Sequence, residues 1–446
     1  MSIEQRYVEL HPVSRRLNQR AASVFPDGVT HDMRHMAPFP LYVERAERAR
    51  KHDVDGNAIV DFVMGHGALL LGHGHPDVTA AIAEQLARGT HYGASHELEI
   101  HWGGLVCDLV PSAQRVRFTS SGTEATMMAL RLARAHTSRA KTLRLREHFH
   151  GWNDSVMGQP AAEDTVPVSP GLPRGMLESS IVIPANDIEA LERTIEEEGA
   201  EIAALIFEST GAHWGTEPLD LAYVQRAREL TAERGIVLIM DEVITGFRVT
   251  PGGAQQAYGV TPDLTTLAKI IAGGLPGGAV AGRTEIVERI ASRHNADGRV
   301  EHPGTFNANP LSAAAGSACL SLLADGAHQQ RASVTAARIA RGINAVFEEE
   351  SVAGCCYGQA SMLHIALGFD ARPPDGYSWG WSALPSPPPR VAPGARQALR
   401  MAMINEGVDL MSEGMMVSSM HADDDADRTI EAFRHALRAM KEERLV

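Results

Sequence analysis

Between about Leu98 and Ala281, short unbroken apolar runs alternate with segments of helical period, and few folds accommodate that pattern. Arg115 to Thr119, Thr142 to Arg146, Ile202 to Phe207, Ile236 to Met240, Leu264 to Ala268 and Ala279 to Gly282 read as strands. Leu98 to Leu109, Thr123 to His136 and Leu221 to Arg234 read as the intervening helices. Strands that are apolar along their whole length are covered on both faces, so the expected class is α/β, a mostly parallel sheet between helical layers. Open sheets of this kind bind ligands beyond the carboxyl ends of their strands. Ser120-Ser-Gly-Thr123, Glu208, Asp241 and Lys269 each follow such an end, so four strand ends converge on one rim.

Lysine is scarce: Lys51, Lys141, Lys269 and Lys441 are the full set. Lys269 lies between the run Leu264 to Ala268 and the glycine-rich turn Gly273-Gly-Leu-Pro-Gly-Gly278. Desolvation there lowers the pKa of an amine and makes it a nucleophile. Asp241 ends the run Ile236-Val-Leu-Ile-Met240. A Schiff-base lysine and an aspartate aimed at a pyridinium nitrogen are the minimum apparatus for pyridoxal 5'-phosphate chemistry. An acid after a strand also caps turns, which is the plain reading of Asp241. Val243, two residues on, points the same way and is placed to pack on a ring face.

Ser121-Gly122-Thr123-Glu124 opens a helix. Free N–H groups and a positive dipole end suit a phosphate there, and a simple capping box is the alternative. Phe149-His150-Gly151 offers an aromatic or imidazole plane for stacking on a cofactor ring, or core packing at a turn. Arg34 is a loop arginine that serves either as a bidentate carboxylate clamp or as a solvated surface group. The histidines of Gly65-His66-Gly-Ala-Leu-Leu-Leu-Gly-His-Gly-His75-Pro lack the ligand spacing of a metal site, and the segment reads as a glycine-rich loop lining a site. There is no G-x-S-x-G for a serine hydrolase and no intact G-x-G-x-x-G after a strand for a dinucleotide fold.

A length of 446 residues allows more than one domain, and a formal net charge of -14 argues against a nucleic-acid partner. No apolar stretch reaches membrane-spanning length, Met1 to Gln19 is charged rather than signal-like, and the four cysteines show no paired spacing. The expectation is a cytoplasmic protein with reduced cysteines. Glu4 to Phe25 reads as one polar helix, and Tyr42-Val43 and Ala58 to Val63 as a hairpin around Asp53-Val-Asp-Gly-Asn57. Pro76 to Arg88, Leu311 to Leu323 and Arg331 to Glu350 read as helices. From Gly354 the pattern is that of a small α+β domain ending in the helix Asp425 to Glu443, with an irregular Pro-rich loop at Arg372 to Pro393.

The segments Ser121-Gly-Thr-Glu-Ala-Thr, Asp241-Glu-Val-Ile-Thr-Gly-Phe-Arg, Leu267-Ala-Lys-Ile-Ile-Ala-Gly-Gly-Leu-Pro and Gly304-Thr-Phe-Asn-Ala-Asn-Pro together resemble the class III, fold-type I aminotransferases. Within that class the chain is similar to the glutamate-1-semialdehyde aminomutase group. Asp27-Gly-Val-Thr and the Gly65 to Pro76 segment look like those of the D-phenylglycine aminotransferases. The resemblance implies a seven-stranded, mostly parallel sheet with a smaller α+β domain built from the two ends of the chain. It implies an N-terminal segment 1–75 serving the small domain and the active-site mouth, a cofactor domain 76–320, and a C-terminal small domain 321–446. It implies that Lys269 forms the Schiff base and shuttles the proton, while Asp241 pairs with the ring nitrogen. Val243 packs on the ring, Ser121, Gly122 and Thr123 hold the phosphate, Phe149 and His150 supply the stacking motif, and Glu208 lies near the ring hydroxyl. Thr305 would reach the phosphate of a neighbouring subunit, implying a homodimer. Arg34 and His66 would face substrate.

The chain departs from the family pattern at Phe149, where tyrosine is usual, and at Glu208-Ser209, where Glu-Pro is usual. It has His66 where the aminomutase has tryptophan, and Gln159 to Asp164 lacks the aminomutase gating pattern. The expected activity is transfer of an amino group between an amino acid, with an aromatic or D-amino acid as candidate donor, and a 2-oxo acid. The alternative is intramolecular transfer of the aminomutase type.

Overall fold

The computed structural model describes residues 1–157, 169–369 and 391–446. The expected loop from Arg372 lies almost wholly outside the described residues, and the Gln159 to Asp164 segment lies entirely outside them. The described residues form two compact units, Pro76–Gln329 and a second one made of Met1–His75 with the described residues from Gln330 onward.

The Pro76–Gln329 unit is built on a seven-stranded sheet. Its strands are β1 (Arg115–Thr119), β2 (Lys141–Leu145), β3 (Ser180–Ile183), β4 (Ile202–Glu208), β5 (Val237–Asp241), β6 (Leu264–Ala268) and β7 (Gly278–Gly282). They lie in the order β1-β7-β6-β5-β4-β2-β3. Strand β7 is antiparallel to both of its neighbours, and the other pairs are parallel. The fully buried strands β4, β5 and β6 sit side by side, with Glu208 opposite Asp241 and Asp241 opposite Thr266. Register alone therefore places Glu208 and Asp241, the last residues of β4 and β5, side by side, with Thr266 from the middle of β6 next to Asp241.

Helix Gly122–Thr137 lays Met128, Leu130 and Leu132 into a core with Ile206, Ile239, Leu264 and Val280 from the sheet. Trp102, on helix Glu97–Leu109, stacks on Phe118 with ring centroids 3.9 Å apart. Its indole N–H donates to Ile271 O at 2.9 Å, and Ser312 Oγ donates to Pro276 O at 2.7 Å. Both bonds pin the turn that follows Lys269. Gly316, on the alanine-rich helix Pro310–Leu323, is required for this approach, because a Cβ there would stand 2.4 Å from the Trp102 nitrogen.

The other unit carries a four-stranded sheet of Val43–Glu47, Arg50–Asp53, Ala58–Asp61 and Val408–Asp409, and a three-stranded sheet of Gly354–Gln359, Met362–Leu367 and Gly414–Met416. Two expectations are corrected here. Glu4 to Phe25 is two helices, Ile3–Leu10 and Pro12–Ala21, because proline ends the first and starts the second. The strand that pairs with Ala58–Asp61 around the Asp53 to Asn57 turn is Arg50–Asp53, with Val43–Glu47 on its far side. Arg50–Asp53 contains no apolar residue, yet Lys51 and Asp53 are buried. The Lys51 ammonium binds Asp409 and, at 3.2 Å, Asp61, while Arg400 Nε binds Asp409 at 3.0 Å and His73 Nε2 binds Asp61 at 2.8 Å. Buried paired charge thus sits beside the hydrophobic core to which Val60 and Val408 of the same sheet belong.

Candidate active site

Strands β1, β4, β5 and β6 end at one cavity of about 300 Å³ in the Pro76–Gln329 unit. Ser121, Gly122, Thr123, Phe149, His150, Glu208, Asp241, Val243 and Lys269 all line it. Nine residues singled out from sequence thus meet in one place, although they span about 150 positions of the chain.

Lys269 follows β6 directly and has a left-handed backbone, φ 54°. Burial lowers the pKa of its amine, and Asp241 and Glu208 oppose that shift while Arg248 adds to it. Lys51, Lys141 and Lys441 are all ion-paired, whereas Lys269 forms no ion pair among the described residues.

Asp241 is buried at the end of β5. Its Oδ2 accepts from His150 Nδ1 at 2.8 Å, and its Oδ1 accepts from Val243 N at 3.0 Å and Thr266 Oγ1 at 3.1 Å. A carboxylate only accepts, so the His150 proton is on Nδ1. The imidazole is thereby turned edge-on to Asp241. His150 is buried, while Phe149 is 56% exposed on the same cavity. Of the two planes offered by the Phe149-His150 motif, the phenyl ring is the one free to lie on a flat ligand.

Glu208 is also buried, and burial pushes its pKa up to about 7 against three backbone donors. Those donors are Phe149 N at 2.8 Å, His213 N at 2.9 Å and Trp214 N at 3.0 Å. Its own N–H donates to His148 Nδ1 at 2.9 Å, and burial holds His148 well below the usual histidine range.

Ser121 caps the helix Gly122–Thr137 by accepting from Glu124 N at 3.2 Å. The N–H groups of Gly122 and Thr123 occupy the first turn, where a helix has no internal acceptor. A Cβ on Gly122 would stand 3.0 Å from Val243 Cγ1, and one on Gly151 would stand 2.5 Å from Thr123 Oγ1. Bare glycines therefore keep the cradle open.

Two wall residues escaped sequence reasoning. Thr210 is buried in the cavity wall, and its hydroxyl bonds no partner among the described residues. Trp214 lines the cavity from a turn in which His213 and Trp214 both have positive φ, 47° and 52°. Thr305 lines a different recess, of about 700 Å³, with His96, Ile100 and Arg117. Arg34 and His66 belong to the other unit. There Arg34 is exposed and donates to Thr30 Oγ1 at 2.9 Å, and His66 stacks on His31 with centroids 5.0 Å apart.

The family model for class-III aminotransferases matches residues 32–436. The chain belongs to this family. A class-III aminotransferase is a pyridoxal-phosphate enzyme of fold-type I, and the cavity suits that cofactor. An unpaired, desolvated lysine, a buried aspartate, an open helix first turn and an exposed phenyl face are the four features the group requires. Among relatives of this class-III chain is glutamate-1-semialdehyde 2,1-aminomutase 2 of Brevibacillus brevis, 39% identical, with 95% of this chain and 98% of that one covered. Among solved structures, an omega-transaminase from Sphaerobacter thermophilus is 34% identical with a TM-score of 0.86, covering 96% of this chain and 98% of that one. A transaminase with PLP bound is 29% identical with a TM-score of 0.86, covering 97% and 99%. No helix among the described residues is long and apolar enough to cross a membrane.

Proposed function

We propose that this class-III enzyme moves an amino group with Lys269 as the covalent anchor of the cofactor and the base that carries the substrate proton. The observation behind this reading is the meeting of Lys269, Asp241 and the open first turn at Gly122 and Thr123 in one cavity. Pyridoxal phosphate, when bound, supplies an electron sink for charge developing at the substrate carbon. Asp241, oriented by His150 and Thr266, holds a proton on the ring nitrogen. Ser121, Gly122 and Thr123 receive the phosphate, Phe149 covers one ring face, and Val243 packs on the other. The lowered pKa of Lys269 favours the neutral amine, the form that can accept a proton.

Two outcomes share this site. Curated relatives such as that of Brevibacillus brevis bear the aminomutase name, which favours transfer within one substrate such as glutamate 1-semialdehyde. Transfer between an amino acid and a 2-oxo acid, the first expectation from the residues, is the second reading, and the 34% identical omega-transaminase supports it. An aromatic or D-amino donor rests on the likeness of Asp27-Gly-Val-Thr and the Gly65 to Pro76 segment to the D-phenylglycine aminotransferases. Arg34 would meet a substrate carboxylate and His66 a substrate side chain. A homodimer is part of the proposal: exposed Ile100 and Phe306 beside Thr305 suit a second copy of the chain, with Thr305 turned to the partner's phosphate.

The deciding experiment supplies glutamate 1-semialdehyde alone, then amino donors of both configurations with 2-oxoglutarate. Isomerisation without an added acceptor supports the mutase reading, and strict dependence on a second substrate supports the transaminase. Borohydride reduction followed by peptide mapping must place the cofactor on Lys269, and a label elsewhere ends both readings.

A further inference from the structure

Glu208, which the family resemblance puts near the ring hydroxyl, uses its carboxylate here to accept three backbone N–H groups. Oε1 accepts from Phe149 N and His213 N, and Oε2 accepts from Trp214 N. A carboxylate has about four acceptor sites, so three of them are committed to two separate loops. Those two loops carry Phe149 and Trp214, which both line the cavity.

The Trp214 loop is held in an unfavourable shape. His213 and Trp214 are consecutive non-glycine residues in the left-handed region. Such positions persist only where their surroundings over-determine them, and they cluster at ligand clamps. The surroundings here are specific. Gly211 and Ala212 bridge to Pro218 and Glu217, closing a tight loop. A Cβ on Gly211 would stand 2.0 Å from Glu217 O, so the loop cannot relax past that strand. At its tip, Glu208 accepts two consecutive N–H groups, those of His213 and Trp214. Glu208 itself is fixed at the end of β4 and by His148 Nδ1 accepting from its N–H.

We infer that Glu208 is a positioning residue that clamps the Phe149 and Trp214 loops in the cavity wall, and that Trp214 so held limits the size of substrate side chain admitted. This rests on the proposed amino transfer for its substrate, but not for the clamp. The Phe149 contact couples the wall that covers the cofactor ring to the wall that selects the substrate.

Glu208→Gln separates the parts, because the amide keeps one acceptor oxygen and turns an NH₂ toward the other donors. The best orientation retains Phe149 N and His213 N and abandons Trp214 N. The experiment compares the parent, Glu208→Gln and Trp214→Ala, each loaded with pyridoxal 5'-phosphate. Amide hydrogen exchange is read over 148–152 and 211–217, together with the cofactor absorbance maximum. KM and kcat are read for glutamate 1-semialdehyde and for alanine and phenylalanine of both configurations. The expected result for Glu208→Gln is exchange at Trp214 faster by at least about tenfold, an unmoved absorbance maximum, and a KM ratio between small and large substrates that changes by more than kcat does. Trp214→Ala should change that ratio in the same direction, and the double variant should add nothing further. A moved absorbance maximum with unchanged exchange would overturn the proposal, since Glu208 would then act on the cofactor. Loosened amides with an unaltered substrate ratio would overturn the selective role of Trp214. Should the parent carry no borohydride label at Lys269, the amino-transfer reading fails, and the exchange data still decide the clamp.

Discussion

His150 gives its Nδ1 proton to Asp241 Oδ2 at 2.8 Å, and both residues are buried. The histidine therefore acts through the aspartate. It fixes the direction of the carboxylate while Thr266 and Val243 occupy the other oxygen.

His150→Phe should keep the cofactor but lower kcat by about 10- to 100-fold, the worth of one hydrogen bond to a buried charge. Single-turnover kinetics would check it. An unchanged rate constant would remove His150 from the orientation of Asp241.

Lys269→Ala should leave a folded protein that binds pyridoxal phosphate without a reducible bond, with amino transfer reduced by at least about 1000-fold. Borohydride mapping and stopped-flow absorbance give the two readings.

Gly151→Ala should weaken cofactor affinity. Its φ of 91° strains any side chain, and the new methyl would meet Thr123 Cα at 2.8 Å, in the first turn of the phosphate helix. Equilibrium dialysis of the cofactor should show a Kd raised by about tenfold or more.

Asp409→Asn should destabilise the unit that contains Lys51 by about 3–5 kcal/mol, because Arg400 and Lys51 would lose a buried counter-charge. Burial alone would raise the pKa of Asp409, but Arg400 and Lys51 overcome it and hold the pKa below the ordinary value. A depressed carboxylate confers stability that is present above its unfolded pKa of about 4 and lost as pH falls through the lower folded value. The melting-temperature gap between parent and variant should be full above about pH 5 and close as the solution is acidified. A gap that is constant down to strong acid would refute the charge argument.

The residues that the sequence made legible are those whose signal is local. Apolar runs ending in Glu208, Asp241 and Lys269 announce a sheet rim, because an ionisable group next to five buried positions has few structural explanations. Ser180–Ile183 was not anticipated, since four residues carry too little period to separate strand from loop. Arg50–Asp53 was hidden for the opposite reason: its inward side chains are charged, and their partners Asp61 and Asp409 come from elsewhere in the chain. Trp214 was invisible because nothing in Ala212-His-Trp-Gly215 signals two left-handed residues. Both of their N–H groups go to Glu208, five and six positions earlier, and the loop is closed by bridges to Glu217 and Pro218, contacts that no local pattern announces. The motif points to His150 as a cofactor neighbour, and the fold adds its bond to Asp241, a residue 91 positions away.

The backbone of Lys269 lies at φ 54°, a region that glycine enters freely and a side-chain-bearing residue does not. Heat tolerance alone would thus favour glycine at the one position where the chemistry demands an amine. A laboratory-evolution campaign scored on melting temperature would be rewarded for deleting the reactive residue, so any hardening of this protein needs a turnover screen running beside the thermal one.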